Sequence, residues 1–267
     1  MKLSFMTWLC PDWDVKQILN AAKKYGYDGV EIRVESNQKH GIELAASKEE
    51  RLATKKAFAD AGIEMSCVAT SLQFAIPDES KQKGNIETIK KYIELCVDTG
   101  CPYIRVFGGQ TAPGEIKGVV SFTADALIKA ADCAKGTEVE ILLETHDNFS
   151  QSVRVAEVLK TAKHPKLNAL WDVMHPFRLL DSFSYAYSNL KGYIKHLHIH
   201  DGMYLENGAK MDICLLGEGV IDHRIPMKFM KEEKFSGHFS VEIIGKGEPG
   251  KWLEQYAKKF RGYEREI

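Results

Sequence analysis

The stretch Ile194-Lys-His-Leu-His-Ile-His-Asp201 carries a histidine at every second position, with Leu197 and Ile199 between them. Strand side chains alternate between two faces, so His196, His198 and His200 share one face and Leu197 and Ile199 the other. A half-buried strand does not ordinarily set a ladder of imidazoles opposite its apolar side. Three more apolar runs repeat the arrangement: Val139-Glu-Ile-Leu-Leu-Glu-Thr-His146, Asn168-Ala-Leu-Trp-Asp-Val-Met-His175 and His238-Phe-Ser-Val-Glu-Ile-Ile244. The same parity puts Glu144 with Leu142 and His146, Asp172 with Leu170, and Glu242 with Ser240. Each run therefore delivers one ionisable side chain late in a strand. Glu144, Asp172, His198 and Glu242 converging at one depth would make a mixed oxygen and nitrogen site for a divalent cation.

Outward from these runs, the chain alternates strand-like and helix-like stretches from end to end. Leu3 to Thr7, Gly29 to Val34, Glu64 to Thr70 and Tyr103 to Gly109 are the first four predicted strands. Helical spacing of apolar residues predicts helices over Asp14 to Tyr25, Lys48 to Ala61, Asn85 to Thr99 and Val120 to Ala134. The four opening runs supply the later strands, with helices expected near Ser150 to Ala162, Leu179 to Leu190, Arg224 to Glu233 and Lys251 to Phe260. Asp14 is placed to cap the first helix and Gly26 to stop it. Strands that alternate with helices form parallel sheets through right-handed crossovers. Eight such units suit an α/β fold, a single-domain (β/α)8 TIM barrel over residues 1–267. A doubly wound open sheet would carry a glycine-rich turn after its first strand. That turn here is Trp8-Leu-Cys-Pro-Asp-Trp-Asp14, which has no glycine. In a barrel, Glu144, Asp172, His198 and Glu242 ring the mouth formed by the C-terminal strand ends.

Composition narrows the function. With 44% hydrophobic residues the chain can bury a sizeable core, and a formal net charge of −1 lacks the basic field of nucleic-acid binding. The six cysteines show no CxxC spacing and read as reduced core residues. The opening segment is interrupted by Pro11, Asp12 and Asp14 too soon for a signal peptide. No run of about 18 apolar residues is available for a membrane span. A cytoplasmic protein with no membrane or nucleic-acid partner is expected.

At these residues the sequence resembles the sugar phosphate isomerase/epimerase family of the xylose isomerase-like TIM barrel superfamily, which includes apurinic endonuclease family 2 relatives. The resemblance spans nearly the whole chain. It is carried by Gly26-Tyr-Asp-Gly-Val-Glu-Ile32, Leu143-Glu-Thr-His146, Trp171-Asp-Val-Met-His175, His196-Leu-His-Ile-His-Asp201, Gly217-Glu-Gly-Val-Ile-Asp222 and Ser240-Val-Glu-Ile243. It implies Glu144, Asp172, His198 and Glu242 as metal ligands, with Glu144 and Glu242 also exchanging a proton with substrate carbon. It further implies that His175 contacts a substrate oxygen. Many members carry Lys before the Asp of the seventh-strand motif where this chain has His200. Some epimerases have an arginine shortly after that strand, where this chain reads Asp201-Gly-Met-Tyr-Leu-Glu206. Substrate identity is therefore not transferred.

The chemistry of this set is proton transfer next to a carbonyl, with a divalent cation as Lewis acid. Two carboxylates flanking the substrate would invert a centre or isomerise a keto-sugar or polyol, and the same set permits elimination of water from a keto-inositol-type substrate. Three carboxylates and one imidazole favour Mn²⁺, with Mg²⁺, Co²⁺ or Zn²⁺ as alternatives. His146, His200, Arg33 and Trp8 are further candidates for contact with a small carbohydrate. Arg33 either holds a substrate oxygen or pairs with Glu31, and Trp8 walls the pocket or sits in the core. Phe107 with Gly108 and Gly109 ends the fourth strand in the same open way. His196 reads as a satisfied interior histidine, and His40, His164 and His223 as solvated. Barrels of this group often pair through their helices, so a homo-oligomer is a further expectation. Rival readings are a dehydratase, a metal-dependent phosphodiesterase and a non-catalytic sugar-binding barrel.

Overall fold

The computed structural model describes residues 1–112, 114, 116–206, 211–244 and 247–267. Its strands follow the chain as β1 (Lys2–Met6), β2 (Gly29–Arg33), β3 (Glu64–Gln73), β4 (Tyr103–Phe107), β5 (Glu140–Glu144), β6 (Leu167–Asp172) and β7 (Ile194–Ile199). An antiparallel hairpin of β8 (Asp201–Tyr204) and β9 (Met211–Cys214) forms its own small sheet before β10 (His238–Val241). The seven early strands and β10 close a parallel barrel, with β10 hydrogen-bonded to both β7 and β1. The helices are α1 (Val15–Tyr25), α2 (Lys48–Ala61), α3 (Glu79–Thr99), α4 (Val119–Asp132), α5 (Ser152–Ala162), α6 (Met174–Arg178), α7 (Phe183–Leu190), α8 (Arg224–Glu232) and α9 (Pro249–Glu266).

Alternation along each strand separates two environments. Phe5, Val30, Ile32, Val68, Ile104, Val106, Ile141, Leu143, Trp171, Leu197, Phe239 and Val241 belong to the continuous buried apolar cluster shared with the helices. At roughly 1.5–3 kcal/mol per fully buried side chain of this size, that sleeve is the main source of stability. The opposite parity fills the barrel interior with Ser4, Glu31, Arg105, Glu144, Asp172, His196, His198 and Ser240, all buried. Polar residues on that face leave the outer packing intact.

The local signals act as expected at the first helix. Asp14 and Gln17 form a reciprocal cap, and Gly26 ends the helix at φ 75° in the left-handed region. Elsewhere the elements differ from the sequence reading for identifiable reasons. The predicted helix at Asn85 begins earlier, at Glu79, because Asp78 accepts from the backbone nitrogens of Ser80 and Lys81. The run expected to stay extended to His175 stops at Asp172, whose Oδ1 accepts from the nitrogens of Met174 and His175 and starts α6. The helix predicted over Leu179 to Leu190 starts only at Phe183, as α7, because Leu180 at φ 68° breaks the chain there and Ser182 caps the new start by accepting from Tyr185 N; α6 precedes the predicted span.

The hairpin is the largest unforeseen feature. The carboxylate of Asp201 accepts from the nitrogens of Gly202, Gly217, Gly219 and Ile221 at 2.8–3.1 Å. One buried anion thus gathers the motif Gly217 to Asp222 against the end of β7. A Cβ at Gly219 would lie 2.1 Å from Asp201 Oδ1, so glycine is required there by close approach. Among the described residues no helix is long and apolar enough to cross a membrane.

Candidate active site

His198 lies at the centre of the C-terminal mouth. Its Nδ1 is 3.0 Å from Glu144 Oε1, 3.3 Å from Glu242 Oε2 and 3.9 Å from Asp172 Oδ2. One potential ligand atom from each of the four residues lies within 4.8 Å of all the others. Parallel register produces this meeting: His198 is paired with Asp172 on one side and with Ser240, two residues before Glu242, on the other. Thr145 ties the β5 and β6 ends together, its hydroxyl accepting from Asp172 N at 2.9 Å and donating to Asp172 O at 3.0 Å.

Four carboxylates, those of Glu31, Glu144, Asp172 and Glu242, are buried around this imidazole. Burial alone would lower the pKa of His198, but Glu31, Glu242 and Glu144 overcome it and hold the ring well above its usual range. Burial would raise Glu242, yet His198 and His200 bring it down to about 2. Burial likewise opposes ionisation of Asp172, which His175, His200 and His198 hold well below its usual range. Protonated His198 is thus the cation that these carboxylates share. A divalent ion held by these residues would supply that charge in its place and leave a neutral imidazole able to coordinate.

The donor set fits such an ion. Glu144 Oε2 is a buried acceptor without a hydrogen-bond donor, which a folded protein seldom leaves unmatched. Glu31 occupies the other side of His198, its two oxygens 3.0 and 3.1 Å from Nε2. With Nε2–H given to Glu31, a neutral His198 would turn the Nδ1 lone pair towards an ion held among the carboxylates. Glu31 also takes His196 Nε2 at 2.9 Å, so His196 is an interior histidine with a partner.

The remaining candidates fall into two groups. His200 Nε2 lies 2.8 Å and His175 Nε2 3.7 Å from Asp172 Oδ2. Rings of His146 and His175 meet edge to face at 4.4 Å, and Phe107 leans on His146 at 4.5 Å. These side chains form a continuous rim beside the four-residue cluster. Asp172, His175 and His200 also bring ligand atoms within 4.8 Å of one another. Trp8 and Arg33 form a separate wall, the guanidinium 4.6 Å from the indole ring. Arg33 does not pair with Glu31. Its guanidinium donates to Val34 O, Ala69 O and Ser71 Oγ, because Glu31 is already committed to two histidines.

Two expected surface histidines are structural. His40 is buried, its Nε2 on Arg33 O at 3.1 Å and its Nδ1 accepting from Ile42 N at 2.9 Å. His223 is fully buried against Ile221 O, and burial lowers its pKa to about 4. Loop position alone concealed that packing. The His164 side chain is likewise largely covered, its Nε2 3.2 Å from Asp132 Oδ1 and its Nδ1 accepting from Lys166 N at 3.1 Å. Sequence reasoning also passed over Glu31 as a partner of the histidines and Arg105 altogether. Strand parity, which puts both inside the barrel, was the available signal.

Known proteins align with this picture. L-ribulose-5-phosphate 3-epimerase of Salmonella heidelberg is 24% identical over 240 residues, covering 84% of this chain and 80% of that one. The structure of an L-ribulose 3-epimerase superposes with TM-score 0.81 at 15% identity, covering 100% of this chain and 97% of that one. A probable 3-DHS dehydratase from Bacillus anthracis superposes with TM-score 0.82 at 17% identity, covering 98% and 99%. The sequence profile described as xylose isomerase-like TIM barrel matches residues 19–263, and the closed barrel of parallel strands has that architecture. This chain belongs to the xylose isomerase-like TIM barrel family.

Proposed function

We propose that this chain is a divalent-metal-dependent isomerase or epimerase of a small keto-sugar or polyol, with Glu144 and Glu242 as its acid and base. The observation that carries the reading is the meeting of Glu144, Asp172, His198 and Glu242 within 4.8 Å at the barrel mouth. These four would hold the metal, and their mostly oxygen character favours Mn²⁺ over Mg²⁺, Co²⁺ or Zn²⁺. When bound, it supplies Lewis-acid stabilisation of negative charge on the substrate oxygens. Glu144 and Glu242 stand on strands separated in the barrel by β6 and β7. They therefore approach a bound substrate from different sides. One takes a proton from the carbon next to the carbonyl and the other returns one, inverting that centre or moving the carbonyl. His146, His175 and His200 hold substrate oxygens at the rim, with Trp8 and Arg33 closing the opposite wall. The epimerase names of the curated relatives support this reaction class.

A dehydratase is the second reading, favoured by the row of imidazoles beside Asp172 that could protonate a departing hydroxyl. Incubation with Mn²⁺ in D₂O against ketoses and keto-inositols, followed by NMR, separates the two. Deuterium entering carbon identifies proton transfer, and a new unsaturated product identifies dehydration. Either activity persisting in a Glu144→Gln, Glu242→Gln double variant would overturn the assignment.

A further inference from the structure

The segment Phe107-Gly108-Gly109-Gln110 that ends β4 interlocks with His146-Asp147-Asn148-Phe149 beyond β5. A Cβ at Gly108 would lie 2.0 Å from the Phe149 ring, so glycine is what lets that ring pack against the strand end. Asn148 Nδ2 donates to Thr111 O at 2.6 Å and Gln110 Nε2 to Asp147 Oδ1 at 3.1 Å. Asp147 itself has φ 50°, a left-handed conformation that costs free energy in a residue other than glycine. The same Oδ1 lies 3.1 Å from His146 Nδ1, which is buried and otherwise without a partner. That contact is within hydrogen-bond distance but not yet aligned, as such pairs often are before a ligand engages the ring. An aspartate that only shapes a turn takes backbone nitrogens, as Asp78 does from Ser80 and Lys81. Among the described residues, Asp147 Oδ1 meets two side chains instead. The His146 side chain is 29% exposed, whereas His175 and His200 beside it on the rim are buried. With Nδ1 covered, Nε2 is the nitrogen left to meet a molecule in the mouth.

We infer that Asp147 is a positioning residue: it keeps the His146 proton on Nδ1 and presents Nε2 to the mouth as an acceptor for a substrate hydroxyl. Which ring nitrogen carries the proton is set by the partner of the other, and a carboxylate can only accept. The inference rests on the isomerase or epimerase reading, in which His146 holds a substrate oxygen, and fixes the polarity of that contact. A carbonyl oxygen cannot donate, so His146 meets a hydroxyl and the carbonyl lies elsewhere in the site.

The test is nitrogen NMR of the histidine-labelled full chain with diamagnetic Mg²⁺ present, at about pH 8.5, two units above the ordinary histidine value. Such spectra read the tautomer of each ring, and the His146 signals are those lost in His146→Gln. Wild-type His146 is expected to carry its proton on Nδ1, the reverse of the preference of free imidazole. Asp147→Gly keeps the left-handed backbone and removes the carboxylate, and should move the proton to Nε2. Asp147→Asn also suits that backbone and serves if the glycine variant does not fold. It should move the proton too, because an amide donates as readily as it accepts. On the ketose that the D₂O assay singles out, turnover should fall at least about tenfold in either variant, the lower end of what loss of a carboxylate behind a functional histidine costs. Mn²⁺ affinity should stay within about threefold, since no proposed ligand is removed. A wild-type ring protonated on Nε2 or on both nitrogens, a tautomer unmoved by both substitutions, or turnover unchanged in both overturns the inference. So does a fall in Mn²⁺ affinity that matches the fall in turnover. The tautomer measurement needs no substrate, so a wild type that turns over nothing sinks the isomerase reading while the spectra decide this one.

Discussion

Glu31 and His198 meet inside the barrel, 167 positions apart in the chain, with Glu31 Oε1 3.0 Å from Nε2 of the imidazole. A carboxylate in that place fixes the tautomer and ring orientation of a metal-binding histidine. Loss of such a partner typically costs about 10–100-fold in metal affinity. Glu31→Gln is therefore expected to weaken Mn²⁺ binding by that factor while the circular dichroism of the barrel stays unchanged. Wild-type affinity in the variant would remove Glu31 from the metal site.

The two proposed acid/base carboxylates should each be indispensable. Glu144→Gln and Glu242→Gln are nearly isosteric but cannot take up a proton, and general acid–base groups contribute about 10²–10⁴-fold to rate. Each single variant should lose at least that much interconversion of the two epimers of any substrate the wild type turns over. An inverting enzyme adds a sharper expectation. A variant lacking only one base should still wash the proton out of one epimer, measurable by NMR from both directions.

Acid should destabilise the fold in a defined window. Burial lowers His223 and His175 to about 4 and His238 to about 3, against an ordinary 6.5. The unfolded chain therefore binds these protons first. The stability linked to these three histidines is fully present above pH 6.5 and is lost progressively as pH falls from 6.5 through about 4. The melting temperature should decline over pH 6.5 to 4.5 and decline less steeply in His223→Asn. An unchanged slope would mean that His223 is protonated when folded.

Gly219 tests the clamp on Asp201. An added methyl would meet Asp201 Oδ1 at 2.1 Å and Gly202 N at 2.6 Å, neither of which can retreat without breaking the four-nitrogen cradle. Gly219→Ala is expected to cost about 1–3 kcal/mol, read by denaturant titration. Gly262→Ala, where nothing lies within 4 Å of the new atom, is the matched control and should be neutral or mildly stabilising.

Parity within single strands was enough to put Glu144, Asp172, His198 and Glu242 on one face. The recurrence of strand and helix was enough to close eight units into a barrel. Both follow from the chain alone, because a two-residue period and a helical period are local properties that each segment expresses by itself. The cap at Asp14 and the stop at Gly26 are local in the same sense. What a residue on the inner face touches is not local. Glu31 sits in β2 on the same face as Arg33, yet it bonds His196 and His198 from β7 while Arg33 turns to backbone carbonyls. Arg105 reads as one arginine in a short strand until the closed barrel buries it without a donor's partner. His40 and His223 read as loop residues until their rings are packed against backbone. Sequence determined the face of each side chain; closure of the barrel decided its neighbour, because strands far apart in the chain meet only across the shared interior.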